Sequence, residues 1–258
     1  MTRTIVSRRT LVLVAVLFAA LLALSQGAST AAAQDVAAAV RAKLDKSQYK
    51  DVQVSVDANG IATLTGTVSL YEFKADADKA VHKVKGVTAV RNDIEVGGPS
   101  VPDSKLQQSL GEKLAYDRVG YGNVFDAISV QVQNGVVTLG GHAHDYPNRD
   151  SALGLVSTTP GVKDVIDQIS VDPVSPMDWQ IRMAVARAVY SYPTLNKYAI
   201  DPAMPIRISV QNGNVALYGV VDSEADKDAA FLRANGVPGV FSVKNYLQVA
   251  NQPGERKQ

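Results

Sequence analysis

Two groupings of residues in this sequence have the types and spacing to do chemistry. The first is His142-Ala143-His144 with Asp145 beside it. At the end of a strand, an H-x-H step puts both imidazoles on one side, and with the carboxylate they could ligate a transition metal weakly. A structural site takes four ligands, so no metal is assigned here. The second grouping lies on a helix. Trp179, Met183, Ala186 and Tyr190 form an apolar stripe at helical spacing, flanked by Arg182 and Arg187. Aromatic rings and a thioether between guanidiniums suit a membrane interface, where the rings enter the headgroup boundary and the arginines meet phosphate. The same stripe also suits packing on a neighbouring segment or on the long loop that follows. Trp179, Arg182, Met183, Arg187 and Tyr190 are therefore the candidate lipid- or partner-binding residues.

The remaining chemistry is thin. Cysteine is absent, which removes disulfides, thiolate metal sites and a cysteine nucleophile. There is no G-x-S-x-G elbow and no H-E-x-x-H helix. Asp226 and Asp228 read as acids on an exposed helix face, and His82 among Lys79, Lys83 and Lys85 reads as a solvated one. Gly120-Tyr121-Gly122-Asn123 lacks the lysine and the strand-to-helix setting of a phosphate loop. Tyr192, Pro193, Tyr198 and Pro202 read as a rigid loop. No catalytic residue and no cofactor are assigned, and the chain reads as a non-enzyme. The net charge of +1 is too balanced for a dedicated nucleic-acid binder.

The chain opens like an exported protein. Arg3, Arg8 and Arg9 precede an uncharged apolar run, Leu11 to Leu24, and then the small residues Ala31, Ala32 and Ala33. Residues 1–33 are read as a cleaved signal peptide, or else as an uncleaved amino-terminal anchor. Either way the rest lies outside the cytoplasm, in the periplasm or beyond. Without those three arginines the counts become 23 basic and 25 acidic residues, about −2.

The elements that position these groups repeat three times, without a gap, over residues 59–96, 134–171 and 212–249. Each copy starts with Asn-Gly, at Asn59-Gly60, Asn134-Gly135 and Asn212-Gly213. A glycine follows at Gly66, Gly141 and Gly219, then Gly-Val at Gly86-Val87, Gly161-Val162 and Gly239-Val240. Alternating aliphatics close each copy. Asn-Gly between alternating runs predicts a hairpin, because both residues tolerate positive φ. Ala77, Ala80, Val81 and Val84 share one helical face, and Ala152, Leu155 and Val156 repeat it. In the third copy Ala230 and Ala234 match Ala77 and Val81, but Arg233 replaces Ala80. The Gly-Val glycine is expected to terminate that helix in a left-handed conformation. Apolar residues spaced by four, such as Leu106, Leu110 and Leu114, predict another helix before each hairpin.

The stretch N-G-x-x-x-L-x-G, an alanine-rich helix, G-V-x-x-V and alternating aliphatics resemble the BON domain, named for bacterial osmotically induced and nodulation proteins. Gly60, Gly66, Gly86 and Val87 carry the resemblance in the first copy, with equivalents in the other two. It implies export to the bacterial envelope and a lipid-binding or envelope-maintenance module. The fold class expected is α+β: three tandem α-β-β-α-β domains over residues 34–97, 103–172 and 177–250, with a flexible tail over 251–258. Units this small are marginal alone, so neighbours are expected to pack together or to be stabilised by a partner. The function expected is binding of anionic phospholipid membrane in support of envelope integrity or osmotic stress tolerance. The alternatives are a periplasmic scaffold that binds an envelope protein, and a small-ion or ligand binder.

Overall fold

The computed structural model describes residues 33–118 and 123–250. The signal peptide read over residues 1–33 (Ala33 excepted), residues 119–122 and the tail read over 251–258 lie outside the described residues. Among those described, three copies of one architecture follow one another. The first comprises helix α1 (33–43), strands β1 (Val52–Val56) and β2 (Ile61–Val68), helix α2 (Tyr71–His82) and strand β3 (Ala89–Val96). The second comprises α3 (Asp103–Tyr116), β4 (Ala127–Gln133), β5 (Val136–Ala143), α4 (Tyr146–Ser157) and a third strand split into β6 (Asp164–Asp167) and β7 (Ser170–Val171). The third comprises α5 (Pro176–Tyr190), β8 (Arg207–Gln211), β9 (Asn214–Val221), α6 (Glu224–Asn235) and β10 (Ser242–Val249). The expected α+β class and the α-β-β-α-β order are what the chain adopts.

In every copy the middle strand is central. The first strand pairs with it antiparallel, through the hairpin, and the third pairs with it parallel, after the helical crossover. The parallel register is the same throughout: Ile61 faces Ala89, Val136 faces Asp164 and Asn214 faces Ser242, each 28 positions on. Alternation explains which face is covered. In the first sheet Thr65, Thr67, Arg91, Asp93 and Glu95 are exposed, while Ala62, Leu64 and Ile94 are buried under the helices with Val40, Ala77 and Val81. The third copy buries Val185, Ile208, Leu217, Ala230, Ala234 and Leu247 in the same way. Each such Val or Leu side chain stabilises the fold by roughly 1.5–3 kcal/mol.

All nine repeat glycines (Gly60, Gly66, Gly86, Gly135, Gly141, Gly161, Gly213, Gly219 and Gly239) have positive φ. At Gly66 the reason is contact as well as torsion. A Cβ there would stand 2.0 Å from the carbonyl oxygen of Asp51, and one at Gly141 would stand 2.0 Å from that of Ala127. The Gly-Val glycine does not cap the helix, contrary to expectation. Gly86 sits past Lys83, the residue that caps α2, in the tight turn into β3. Its carbonyl lies 2.5 Å from where a Gly60 Cβ would be, and Thr88 N–H donates to the Gly60 carbonyl at 2.9 Å. The two glycines are needed because the hairpin turn and the helix–strand turn are stitched together. The stitch recurs, from Lys163 to Gly135 and from Phe241 to Gly213.

The chain divides at Gly97–Gly98 into two compact units. The first copy is one unit and the second and third together form the other. Of the expected neighbour packing, this is the part within the second unit. Val124 and Phe125, from the turn before β4, pack against the core of the third copy.

Candidate functional site

Helix α5 carries the predicted stripe. Ser175 caps it, its hydroxyl accepting from Asp178 N–H at 3.1 Å, with Pro176 opening the first turn. Asp178, 2% exposed, clamps the hairpin of its own copy by accepting from Asn212 N–H at 2.9 Å and Gly213 N–H at 2.8 Å. Ile181, Val185 and Val189 face the core. The orientation of α5 is thus fixed by its cap, its acid and its apolar face.

The outer stripe does not stay together as one exposed surface. Trp179 packs edge-on against Phe125 of the second copy, with ring centroids 5.6 Å apart, and lies 6.2 Å from the His144 ring. Tyr190 is partly buried, and its hydroxyl donates to the Ile206 carbonyl at 2.6 Å. Burial pushes its phenol well above the ordinary tyrosine range. Arg182 is the clearest departure from expectation. It is 4% exposed, ion-paired with Asp172 at 2.8 Å, and donates to the Val210 carbonyl at 3.1 Å. Asp172 also accepts from Gln211 at 2.6 Å. Arg182 is therefore part of the junction between copies, because the end of the second copy covers it. Trp179, despite its ring contacts, remains 45% exposed, and Met183 and Arg187 are exposed as well.

The histidines are taken up by the same junction. His144 Nδ1 meets the buried Asp126 carboxylate at 2.8 Å, and Arg118 reaches the other oxygen of that carboxylate at 3.2 Å. His142 lies 6.3 Å from the Tyr218 ring and 3.8 Å from Asp172. Among the described residues no three His, Cys, Asp or Glu side chains converge to hold a metal ion. Asp226, expected on an exposed face, is buried. It accepts from the Tyr198 hydroxyl at 2.8 Å and pairs with Lys197 at 3.0 Å. The loop reading of Tyr198 needs the same revision: its ring and Leu195 are core residues. His82 does stay on an exposed helix face, beside Asp78.

The face left open lies between α5 and α6. A groove of about 410 Å³ is lined by Arg187, Ala188, Leu232 and Arg233 among others. Leu232 is 66% exposed. Arg233 donates to the Ala188 carbonyl at 3.2 Å and lies over the Tyr192 ring, 5.4 Å from its centroid. The replacement of Ala80 by Arg233 was visible in the sequence as an irregularity of the third copy. Leu232 left no signal, because α6 is read by its buried alanines.

A family model for the BON domain matches residues 32–98, 102–173 and 194–251. The chain belongs to the BON domain family. The third match begins at residue 194, after α5, so the helix carrying the candidate residues lies outside it. Over 124 residues the chain is 29% identical to osmotically-inducible protein Y of Escherichia coli (strain K12), covering 47% of this chain and 61% of that protein. The chain thus spans under two thirds of that relative's length. Two solved structures of CdsD, a structural protein of the type III secretion system of Chlamydia trachomatis, align at 18% and 17% identity. They cover 82% and 79% of this chain and 90% and 92% of theirs, with TM-scores of 0.25 and 0.23, too low to carry an argument. No helix among the described residues is long and apolar enough to cross a membrane.

Proposed function

We propose that this BON protein is a non-enzymatic, exported envelope protein that binds the surface of anionic phospholipid membranes through the α5–α6 face of its third copy. The observation that carries the reading is the pairing of an exposed Leu232 with the Arg187 and Arg233 guanidiniums along one open groove. An apolar side chain between cations is the arrangement that enters a headgroup layer, with acyl contact from the leucine and phosphate contact from the arginines. The carboxyl-terminal third is also the basic part of the chain, with nine basic and seven acidic residues over 173–258. Arg182 and Tyr190 are drawn inward and do not line this groove, and Trp179, though 45% exposed, lies against the second copy and outside it. The relative's name, osmotically-inducible protein Y, supports a role in osmotic stress.

The test is co-sedimentation of residues 34–258 with neutral and anionic vesicles at low and high salt. Binding to anionic vesicles only, weakened by salt, is the expected result. Arg187→Glu changes the charge by two units and should weaken it about thirtyfold, at ~1 kcal/mol per unit charge near the surface. Absence of sedimentation under every condition would replace this reading with a protein-interaction scaffold.

A further inference from the structure

A second cleft lies within the unit formed by the second and third copies, away from the α5–α6 groove. It measures about 630 Å³, within the ~300–1,000 Å³ range of small-molecule sites. Helix α3 forms one wall with Gln107, Gly111 and Leu114, strand β4 forms the floor with Ile128 and Val130, and Arg207 of β8 closes one side. In the first and third copies side chains of the first helix cross the corresponding space, and in the first copy a smaller cleft of about 350 Å³ remains beside the crossing. Arg41 donates to the Val54 carbonyl at 3.0 Å, and Arg182 and Tyr190 donate to the Val210 and Ile206 carbonyls. In the second copy α3 offers only Gln107, whose side-chain oxygen accepts from Val132 N–H at 3.2 Å. Gly111 stands where a longer side chain would otherwise reach across. A Cβ built there meets nothing within 4 Å.

Arg207 is the distinctive wall residue. Its guanidinium has no hydrogen bond or ion pair among the described residues, whereas Arg118, on the same wall, is satisfied by Asp126 and the Asn148 carbonyl. Burial depresses the pKa of Arg207, and Tyr190 and Asp126 supply only longer-range compensation. The Asn123 side-chain oxygen, also on the wall, is buried with no partner among the described residues. The one carboxylate on the lining, Glu112, is solvent-exposed and accepts from the Gln108 amide at 3.0 Å. The buried part of the cleft therefore presents a partly desolvated, unpaired guanidinium beside an apolar floor, which suits a carboxylate bound through two parallel hydrogen bonds. We propose that this cleft binds a small organic carboxylate, its anionic group on Arg207 and its apolar body against Leu114, Ile128 and Val130.

The probe is a series of n-alkyl carboxylates from butyrate to octanoate, with octanol and octylamine as controls, titrated into residues 34–258 and followed by backbone amide shifts. One saturable site is expected, with shifts at Gln107, Gly111 and Ala203 and a Kd of about 1 mM or tighter for the best member. Octanol and octylamine should leave these residues unmoved. Arg207→Gln should weaken binding at least about tenfold, and Arg207→Lys less. Gly111→Phe fills the cleft at a position with open space and does not depend on Arg207, so it should abolish binding with the fold intact. It should leave vesicle binding unchanged, which separates failure here from failure of the membrane reading. Carboxylates presented only in vesicles should not compete with the free acid, which distinguishes a soluble ligand from a lipid one. Absence of saturable shifts for every carboxylate, or unchanged binding by Gly111→Phe, would overturn the proposal.

Discussion

The first and third copies both send an arginine from their first helix to the outer edge of their first strand, and the two arginines have different fates. Arg41 donates to the Val54 carbonyl from an exposed position. Arg182, about one helical turn earlier in its own helix, makes a bond of the same kind to Val210, two residues further along the strand, but is sealed in, held by Asp172 from the end of the preceding copy. The same local device serves a single copy in one place and a joint between two copies in the other. What changes is the neighbour, and with it the effective dielectric around the charge.

The comparison can be broken most sharply at Arg182. Arg182→Met leaves Asp172 buried with Gln211, Ser209 and the more distant His142 as its side-chain partners among the described residues, which costs about 3–5 kcal/mol for a severed buried pair. The loss should fall on the unit that starts at Gly98. Arg41→Met should cost the first unit under about 1 kcal/mol, because an exposed donor is replaced by water. Urea unfolding, followed by amide signals assigned to each unit, checks both values. Equal losses would mean that the junction pair is no better shielded than a surface bond.

Legibility in the sequence followed the same division. The hairpins, the helix faces and the left-handed glycines are repeated three times and arise within each copy, so spacing alone revealed them. Arg182 looked like a surface residue because a helical wheel knows only its own helix. Asp172, the group that draws it inward, lies ten residues away and belongs to the preceding copy's final strand region. Asp226 misled for a similar reason, since its partner Tyr198 reaches it from the longer loop of the third copy. The split third strand is a smaller case. Asn92 and Asn245 each donate to a helix carbonyl, at Lys74 and Lys227. At the matching place Asp167 instead takes an ion pair from Arg149, and the strand is interrupted just after it. That exchange was readable only by aligning the copies residue by residue.

The loop of the third copy gives a pH-dependent contrast with the first, which lacks it. Burial alone would raise the Asp226 carboxyl, but hydrogen bonds from Tyr198 and Lys197, with the Lys197 charge, hold it below the ordinary carboxylate value. A carboxylate with a lowered native pKa contributes stability that is present above the unfolded value, about 3.9, and is lost as pH falls through the native one. The unit starting at Gly98 should therefore lose stability on acidification below about pH 4, and Asp226→Asn should flatten that part of its profile. Thermal unfolding of both proteins between neutral and acid pH measures the difference. A profile for Asp226→Asn that parallels the parent would remove Tyr198 and Lys197 as the cause.

The smallest contrast lies in the hairpins, where three identical dipeptides do not make three identical turns. Asn134 and Asn212 have φ of 53° and 50°, so both residues of each turn are left-handed, as a two-residue hairpin of this kind requires. Asn59 is not left-handed; only Gly60 is, at 80°. The first hairpin is longer, and Asp57 organises it by accepting from Asn59 N–H and Ile61 N–H, both at 2.9 Å. In the other two copies a helix acid does that work: Asp103 accepts from Asn134 and Gly135, as Asp178 does from Asn212 and Gly213. Alanine tolerates a left-handed backbone worse than asparagine by roughly 1 kcal/mol. Asn134→Ala and Asn212→Ala should each cost about that much, and Asn59→Ala close to nothing. Denaturant midpoints of the three single variants decide the matter. A cost at Asn59 equal to that at Asn134 would mean that the dipeptide, and not the acid that braces it, sets the turn.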